Sequence, residues 1–259
     1  MKNIEEIRGY YPVELQDRQE NLLREYLQYE ILKILFESAH GHKFTFLGGT
    51  CLRIVYGTER FSEDLDFDNV GLSKEEFEET AATIQDRLAE LGYEAHLKFA
   101  YKGAFHCNVR FPGLLFHYQL SGHKEARVLI KIDTEKQHFE YDRSMVDLDK
   151  FGVQARIAAV PLSLLCSMKI AAVMGRKRPK GRDFYDLIWI LARTTPDYAY
   201  TQDRFNVSTA EGLRELVRER IAPFDFEMLM RDVEPFLFDR EVLSTVRNFP
   251  AFWEDVRLN

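Results

Sequence analysis

Between Phe61 and Val70 apolar and acidic side chains alternate. On an extended chain Phe61, Leu65 and Phe67 fall on one side and Ser62, Asp64, Asp66 and Asp68 on the other. The pattern predicts a strand from Phe61 to Val70 with one face in a core and one face of carboxylates. At about 3.3 Å rise per residue, Asp64 and Asp66 stand roughly 7 Å apart at the backbone, close enough for their side chains to share a cation. Like charges at such spacing repel unless a cation neutralises them. Hard oxygen ligands of this kind suit magnesium, which keeps several waters and takes substrate phosphates as further ligands. A solvated acidic strand face or a calcium loop carries the same pattern.

The text before this strand narrows the choice. Lys43 to Leu47 is a short apolar run that stops at Gly48-Gly49-Thr50, and Cys51 to Tyr56 continues in helical composition. Strand, tight turn and helix follow in order, so Gly48 and Gly49 allow a phosphate close to the backbone and the helix start offers it N–H groups. Alone, Gly-Gly-Thr is a turn. It is neither a Walker loop nor a dinucleotide-binding fingerprint. Followed one helix later by paired aspartates, it sets a phosphate turn beside a metal site. A third carboxylate commonly completes such a site, and the candidate is Asp133 in Leu129 to Glu135, where Lys131, Asp133 and Glu135 share the face opposite Ile130 and Ile132. Two metals so held can activate an attacking hydroxyl, orient a triphosphate and stabilise leaving pyrophosphate.

The remaining text predicts an α+β fold followed by helices. Residues 14 to 39 form one amphipathic helix and Ser73 to Leu91 another. Strands are expected at Ala95 to Phe99, Ala104 to Phe111, Leu114 to Leu120, Ala126 to Glu135 and Gly152 to Ala159. From Pro161 the text turns helical: Leu162 to Met174, Asp183 to Ala192, Thr209 to Ile221, Phe226 to Val233, and Arg240 to the end. The expected domains are therefore 1–160, α+β with a mixed sheet, and 161–259, helical.

Composition sets outer bounds. The 259 residues, 46% hydrophobic, can bury a sizeable core, and no apolar run is long enough for a bilayer span. Three separated cysteines and an N-terminus without signal-peptide character lead us to expect a reducing cytoplasm and no membrane. The net charge of −7 argues against nonspecific coating of nucleic acid but permits a local basic patch. Arg176, Lys177, Arg178, Lys180 and Arg182 form such a patch in a loop marked by Pro179 and Gly181; the loop is either solvated surface or a contact for RNA phosphates. His40 and His42 are spaced unsuitably for ligation from one helix face. Lys169, surrounded by apolar neighbours, either snorkels or faces an anion.

The run Leu47 to Phe67, Leu-Gly-Gly-Thr-Cys-Leu-Arg-Ile-Val-Tyr-Gly-Thr-Glu-Arg-Phe-Ser-Glu-Asp-Leu-Asp-Phe, closely resembles the AbiEii/AbiGii-type nucleotidyltransferase toxins. The resemblance extends through Lys131-Ile132-Asp133, Lys169 and Arg182-Asp-Phe-Tyr-Asp-Leu, spanning most of residues 44 to 193. It implies a polymerase β-like nucleotidyltransferase fold, with the helical half closing one side of a nucleotide cleft. In the implied site Gly48, Gly49 and Thr50, with Arg53 and Ser62, meet the nucleotide, Asp64, Asp66 and Asp133 hold Mg2+, and Lys169 neutralises the NTP triphosphate. Asp183 or Asp186, with Asp186 preferred, is the functional acid, positioning or deprotonating an acceptor hydroxyl. The resemblance further implies a toxin of a toxin–antitoxin or abortive-infection system, a cognate antitoxin as partner, and the 3′ end of tRNA as acceptor. Ser62 matches a serine that antitoxin kinases phosphorylate in some relatives; the reading preferred for it here is a serine that satisfies the backbone at a strand start. Rival readings are transfer to a small molecule or protein, and a degenerate fold that only binds a partner.

Overall fold

The computed structural model describes residues 1–101 and 103–259. They divide into two compact units, one comprising Met1–Cys51, Phe61–His138 and Arg143–Ala159, the other Leu52–Arg60, Phe139–Asp142 and Val160–Asn259.

The first unit is built on a seven-stranded mixed sheet. Its strands are β1 (Phe44–Leu47), β2 (Leu65–Asn69), β3 (His96–Tyr101), β4 (Phe105–Phe111), β5 (Val128–Glu135), β6 (Ser144–Lys150) and β7 (Val153–Ala159), in the order β3-β4-β5-β2-β1-β7-β6. β2 runs parallel to β5 and antiparallel to β1. One face is closed by the helices Gln19–Glu37 and Lys74–Glu90: Phe36 lies 6.1 Å from Phe67, and Phe77 lies 6.1 Å from Phe99 and 5.6 Å from Phe105, between ring centroids. The second of these helices starts in a capping box, Ser73 with Glu76, which satisfies two otherwise orphaned N–H groups. The apolar side of the alternating segment thus lies in the core, with Leu65 and Phe67 buried.

The acid-bearing strand is shorter than its alternation predicts, beginning at Leu65 rather than Phe61. The reason is local. Gln28, a polar residue buried in the first helix, donates its amide at 3.0 Å to the carbonyls of both Ser62 and Glu63, and the Thr50 hydroxyl donates to that of Asp64. Side chains therefore take carbonyls that a longer strand would have given to a ladder.

Leu114 to Leu120, expected as a strand, is a short helix Leu114–His117 between left-handed Gly113 and Gln119. An apolar run this short has no decisive period. β6 was not expected. It forms a hairpin with β7 through Phe151 and Gly152, both at positive φ (60° and 76°), as a two-residue hairpin turn requires. Phe151 carries no turn signal in its side chain, which packs among Tyr10, Tyr11, Tyr26 and Tyr29.

The second unit is helical. Its longer helices are Leu162–Gly175, Gly181–Leu191, Tyr198–Phe205, Ala210–Ile221 and Phe226–Val233. Tyr198–Phe205 was not expected, and the C-terminal helix divides into Leu243–Arg247 and Phe249–Asp255 at Asn248. Phe184, Phe249 and Trp253 are fully buried in its core. A Cβ on Gly181 would overlap the Leu229 carbonyl, so this glycine permits the close approach of two helices, and its N–H donates to Asp232 at 2.8 Å. Among the described residues no helix is long and apolar enough to cross a membrane.

Candidate active site

In the first unit the site residues follow from strand register. Asp66 on β2 is paired with Asp133 on β5, and in-register residues of adjacent strands project from the same face at an inter-strand spacing of about 4.8 Å. Asp133 is paired in turn with His106 on β4, and its Oδ1 lies 2.8 Å from the His106 Nδ1. Asp66 also sits opposite Leu47, the last residue of β1. The next residue, Gly48, has φ +82°, and a Cβ there would overlap the Asp66 carboxylate. Glycine at 48 therefore does two things: it allows the left-handed turn and leaves the space in which the Asp66 carboxylate rests beside the turn.

Asp64 precedes the strand, with its side chain 36% exposed and its Oδ1 3.6 Å from the Lys131 Nζ. Its backbone is held by Thr50, which is fully buried. Thr50 thus anchors a carboxylate-bearing segment through its hydroxyl rather than presenting that hydroxyl to a phosphate. Asp68 is buried and accepts the Gln137 backbone N–H at 2.8 Å, which separates it from the exposed acids of the alternating segment. Asp64, Asp66 and Asp133 are partly exposed carboxylates, hard oxygen donors of the kind a magnesium-type cation takes together with phosphate oxygens; among the described residues no three acid, histidine or cysteine side chains are gathered closely enough to hold an ion by themselves.

In the second unit the expected residues meet in a buried ion cluster. Arg60 grips Asp186 with two bonds, Nε to Oδ1 at 2.6 Å and Nη2 to Oδ2 at 2.7 Å, both side chains being shut off from solvent. The Lys169 Nζ stands 2.7 Å from Asp186 Oδ2 and 3.2 Å from Asp183 Oδ1, and Arg176 Nε stands 3.1 Å from Asp183 Oδ2. Lys169 therefore faces anions of its own chain. Burial pushes the Asp186 carboxyl up, but Arg60 and Lys169 outweigh it and hold the group below its ordinary value. Burial pulls Lys169 down, and Asp186 and Asp183 outweigh that and hold its ammonium above the usual lysine value. An acid with no exposed surface, held ionised by a bidentate arginine, makes a poor proton acceptor for an acceptor hydroxyl. The geometry instead makes Asp186 the fixed centre from which Lys169 is oriented.

The remaining expected residues are spread out. Arg53 donates to the Thr58 carbonyl at 2.9 Å and stacks 4.5 Å from the Phe238 ring centroid. Ser62 is half-buried, its carbonyl taken by Gln28. In the basic loop Lys177, Arg178 and Lys180 are exposed, whereas Arg176 is engaged by Asp183 and Arg182 lies over the Phe236 ring at 4.6 Å. Three residues of these clusters escaped sequence reasoning: Gln28, Arg60 and His106. A polar residue interrupting the apolar stripe of a helix could have drawn attention to Gln28; nothing in the spacing distinguishes the other two.

A family model described as the nucleotidyl transferase AbiEii toxin of type IV toxin–antitoxin systems matches residues 30–253. The chain belongs to this family. This AbiEii chain is accordingly a nucleotidyltransferase, and its glycine turn and paired carboxylates lie within the matched span. Two solved structures share its fold at 17% sequence identity: JHP933 from Helicobacter pylori, with a TM-score of 0.54 over 90% of this chain and 91% of that one, and a candidate nucleotidyltransferase from H. pylori, with a TM-score of 0.55 over 90% and 93%. At that identity the likeness speaks for the fold alone. No curated protein sequence matches the AbiEii chain.

Proposed function

We propose that this AbiEii nucleotidyltransferase transfers NMP from an NTP to the 3′ end of tRNA in the cytoplasm, in a magnesium-dependent reaction, and that a cognate antitoxin neutralises it. The observation that carries the reading is the register of Asp66 with Asp133 on adjacent parallel strands, with the Gly48 turn shaped around the Asp66 carboxylate. Asp64, Asp66 and Asp133 would hold Mg2+, which polarises the phosphoryl oxygens and stabilises the charge of departing pyrophosphate. The chain's own residues do the rest. Gly48 makes room for the Asp66 carboxylate, and Gly49 beside it lets the triphosphate approach the backbone. Thr50 and Gln28 fix the segment that carries Asp64. Within the second unit Asp183 and Asp186 hold Lys169 charged and in one place. Lys177, Arg178 and Lys180 supply exposed cations for RNA phosphates.

The test incubates the purified protein with magnesium, each α-labelled NTP in turn, and tRNA with either a free or a blocked 3′ end. The reading requires label on tRNA with a free 3′ hydroxyl only. Label on a protein or a small molecule and none on RNA would favour the same chemistry with a different acceptor. Neutralisation is tested by co-expression: growth arrest caused by the toxin alone should be relieved by the antitoxin and by Asp66→Ala.

A further inference from the structure

The row of ionisable groups does not stop at the two carboxylates. His106, Asp133 and Asp66 are successive register partners on β4, β5 and β2, so all three project from one face of the sheet. The alignment is fixed from the opposite face, where Cys107 and Val109 of β4 and Ile130 and Ile132 of β5 are buried; a one-residue slip would turn these outward. Stability does not explain the histidine. A histidine and an aspartate about one-third exposed contribute little as a surface pair.

An ionised carboxylate only accepts, so the 2.8 Å contact places the imidazole hydrogen on Nδ1, directed at Asp133 Oδ1. We propose that His106 is a positioning residue for the nucleotidyl transfer: its Nδ1–H holds one oxygen of Asp133 and thereby presents the other to the divalent cation. The inference rests on the reading of Asp133 as a holder of that cation. Partners of this kind behind a ligating carboxylate restrict its rotation, and losing one typically costs about 10- to 100-fold in metal affinity.

The imidazole has two nitrogens, and amide side chains can tell them apart. Asparagine places its amide nitrogen near where Nδ1 stands; glutamine places its own near Nε2. The experiment compares full-length wild type with His106→Asn, His106→Gln, His106→Leu and Asp133→Asn. Mn2+ affinity is measured by electron paramagnetic resonance in the presence of a non-hydrolysable NTP analogue, alongside label transfer as a function of metal concentration and thermal melting. Expected is a rise of about tenfold or more in Mn2+ Kd for the Leu and Gln variants, with Asn within about threefold of wild type, all melting together with wild type, and with kcat largely restored at saturating metal. The proposal is overturned by unchanged Mn2+ affinity in His106→Leu, or by glutamine rescuing where asparagine does not, which would make Nε2 the working atom. Unchanged affinity in Asp133→Asn would instead remove Asp133 from the metal site, a failure of the underlying reading and distinguishable from the first.

Discussion

At the scale of single residues, Gly48 carries the most demanding constraint, because two independent requirements meet there. A side chain at φ +82° costs about 1–2 kcal/mol, and a Cβ would displace the Asp66 carboxylate. Gly48→Ala is therefore expected to lower label transfer by about 100-fold, as misplacement of a reacting group by an ångström does, while lowering stability only modestly. Steady-state rates and a urea melt on the same sample check both halves. The cysteines carry an opposite expectation. Burial raises all three thiols, Cys107 to about 12 and Cys51 and Cys166 also well above the ordinary value. A thiolate-selective reagent at pH 8 should label none of them in the native protein and all three after unfolding.

At the scale of elements, the ion cluster of the second unit joins the segment at Arg60 to the helices Leu162–Gly175 and Gly181–Leu191. Removing one member of a buried pair strands the other, so Arg60→Met should destabilise by about 3–5 kcal/mol, whereas the double variant Arg60→Met with Asp186→Leu should recover much of that. The pH dependence follows from the directions of the shifts. Asp186 is held below its ordinary 3.8, so its contribution is present above that pH and is lost as pH falls through its lower folded value. Lys169 is held above its ordinary 10.5, so its contribution is complete below that pH and is lost as pH rises through its higher folded value. Denaturant melts should show loss of stability below about pH 4 that the double variant flattens. The basic loop makes a different prediction. With Lys177, Arg178 and Lys180 replaced by Ser, the slope of log binding constant against log salt for single-stranded RNA ends should fall by about 2, near 0.7 for each phosphate no longer neutralised.

At the scale of the whole molecule, the order of strand, glycine turn, helix and acidic strand was legible because each step has a local cause: an abrupt end of apolar text, a glycine pair, an alternation of period two. The mixed sheet followed from the spacing of the strands, and the helical text after Pro161 from its periodicity. What stayed hidden is non-local. Arg60 and Asp186 are 126 residues apart, and Gln28 reaches Ser62 across 34; no window along the chain contains both partners. The same distance effect explains Asp68, which alternation groups with Asp64 and Asp66 but which the Gln137 N–H removes from the exposed set.

That difference between neighbouring aspartates provides the most direct test of the central claim, that the acids beside the glycine turn perform the transfer. The rate of label transfer from an α-labelled NTP to tRNA is measured at saturating magnesium for wild type, Asp66→Asn and Asp68→Asn. Asparagine at 68 keeps the carbonyl oxygen that accepts from Gln137, so that variant should transfer at close to the wild-type rate, whereas Asp66→Asn should lose activity by about 1,000-fold, in the range typical of removing a group that stabilises transition-state charge. Transfer by Asp66→Asn at the wild-type rate, or equal loss in both variants without unfolding, would contradict the account.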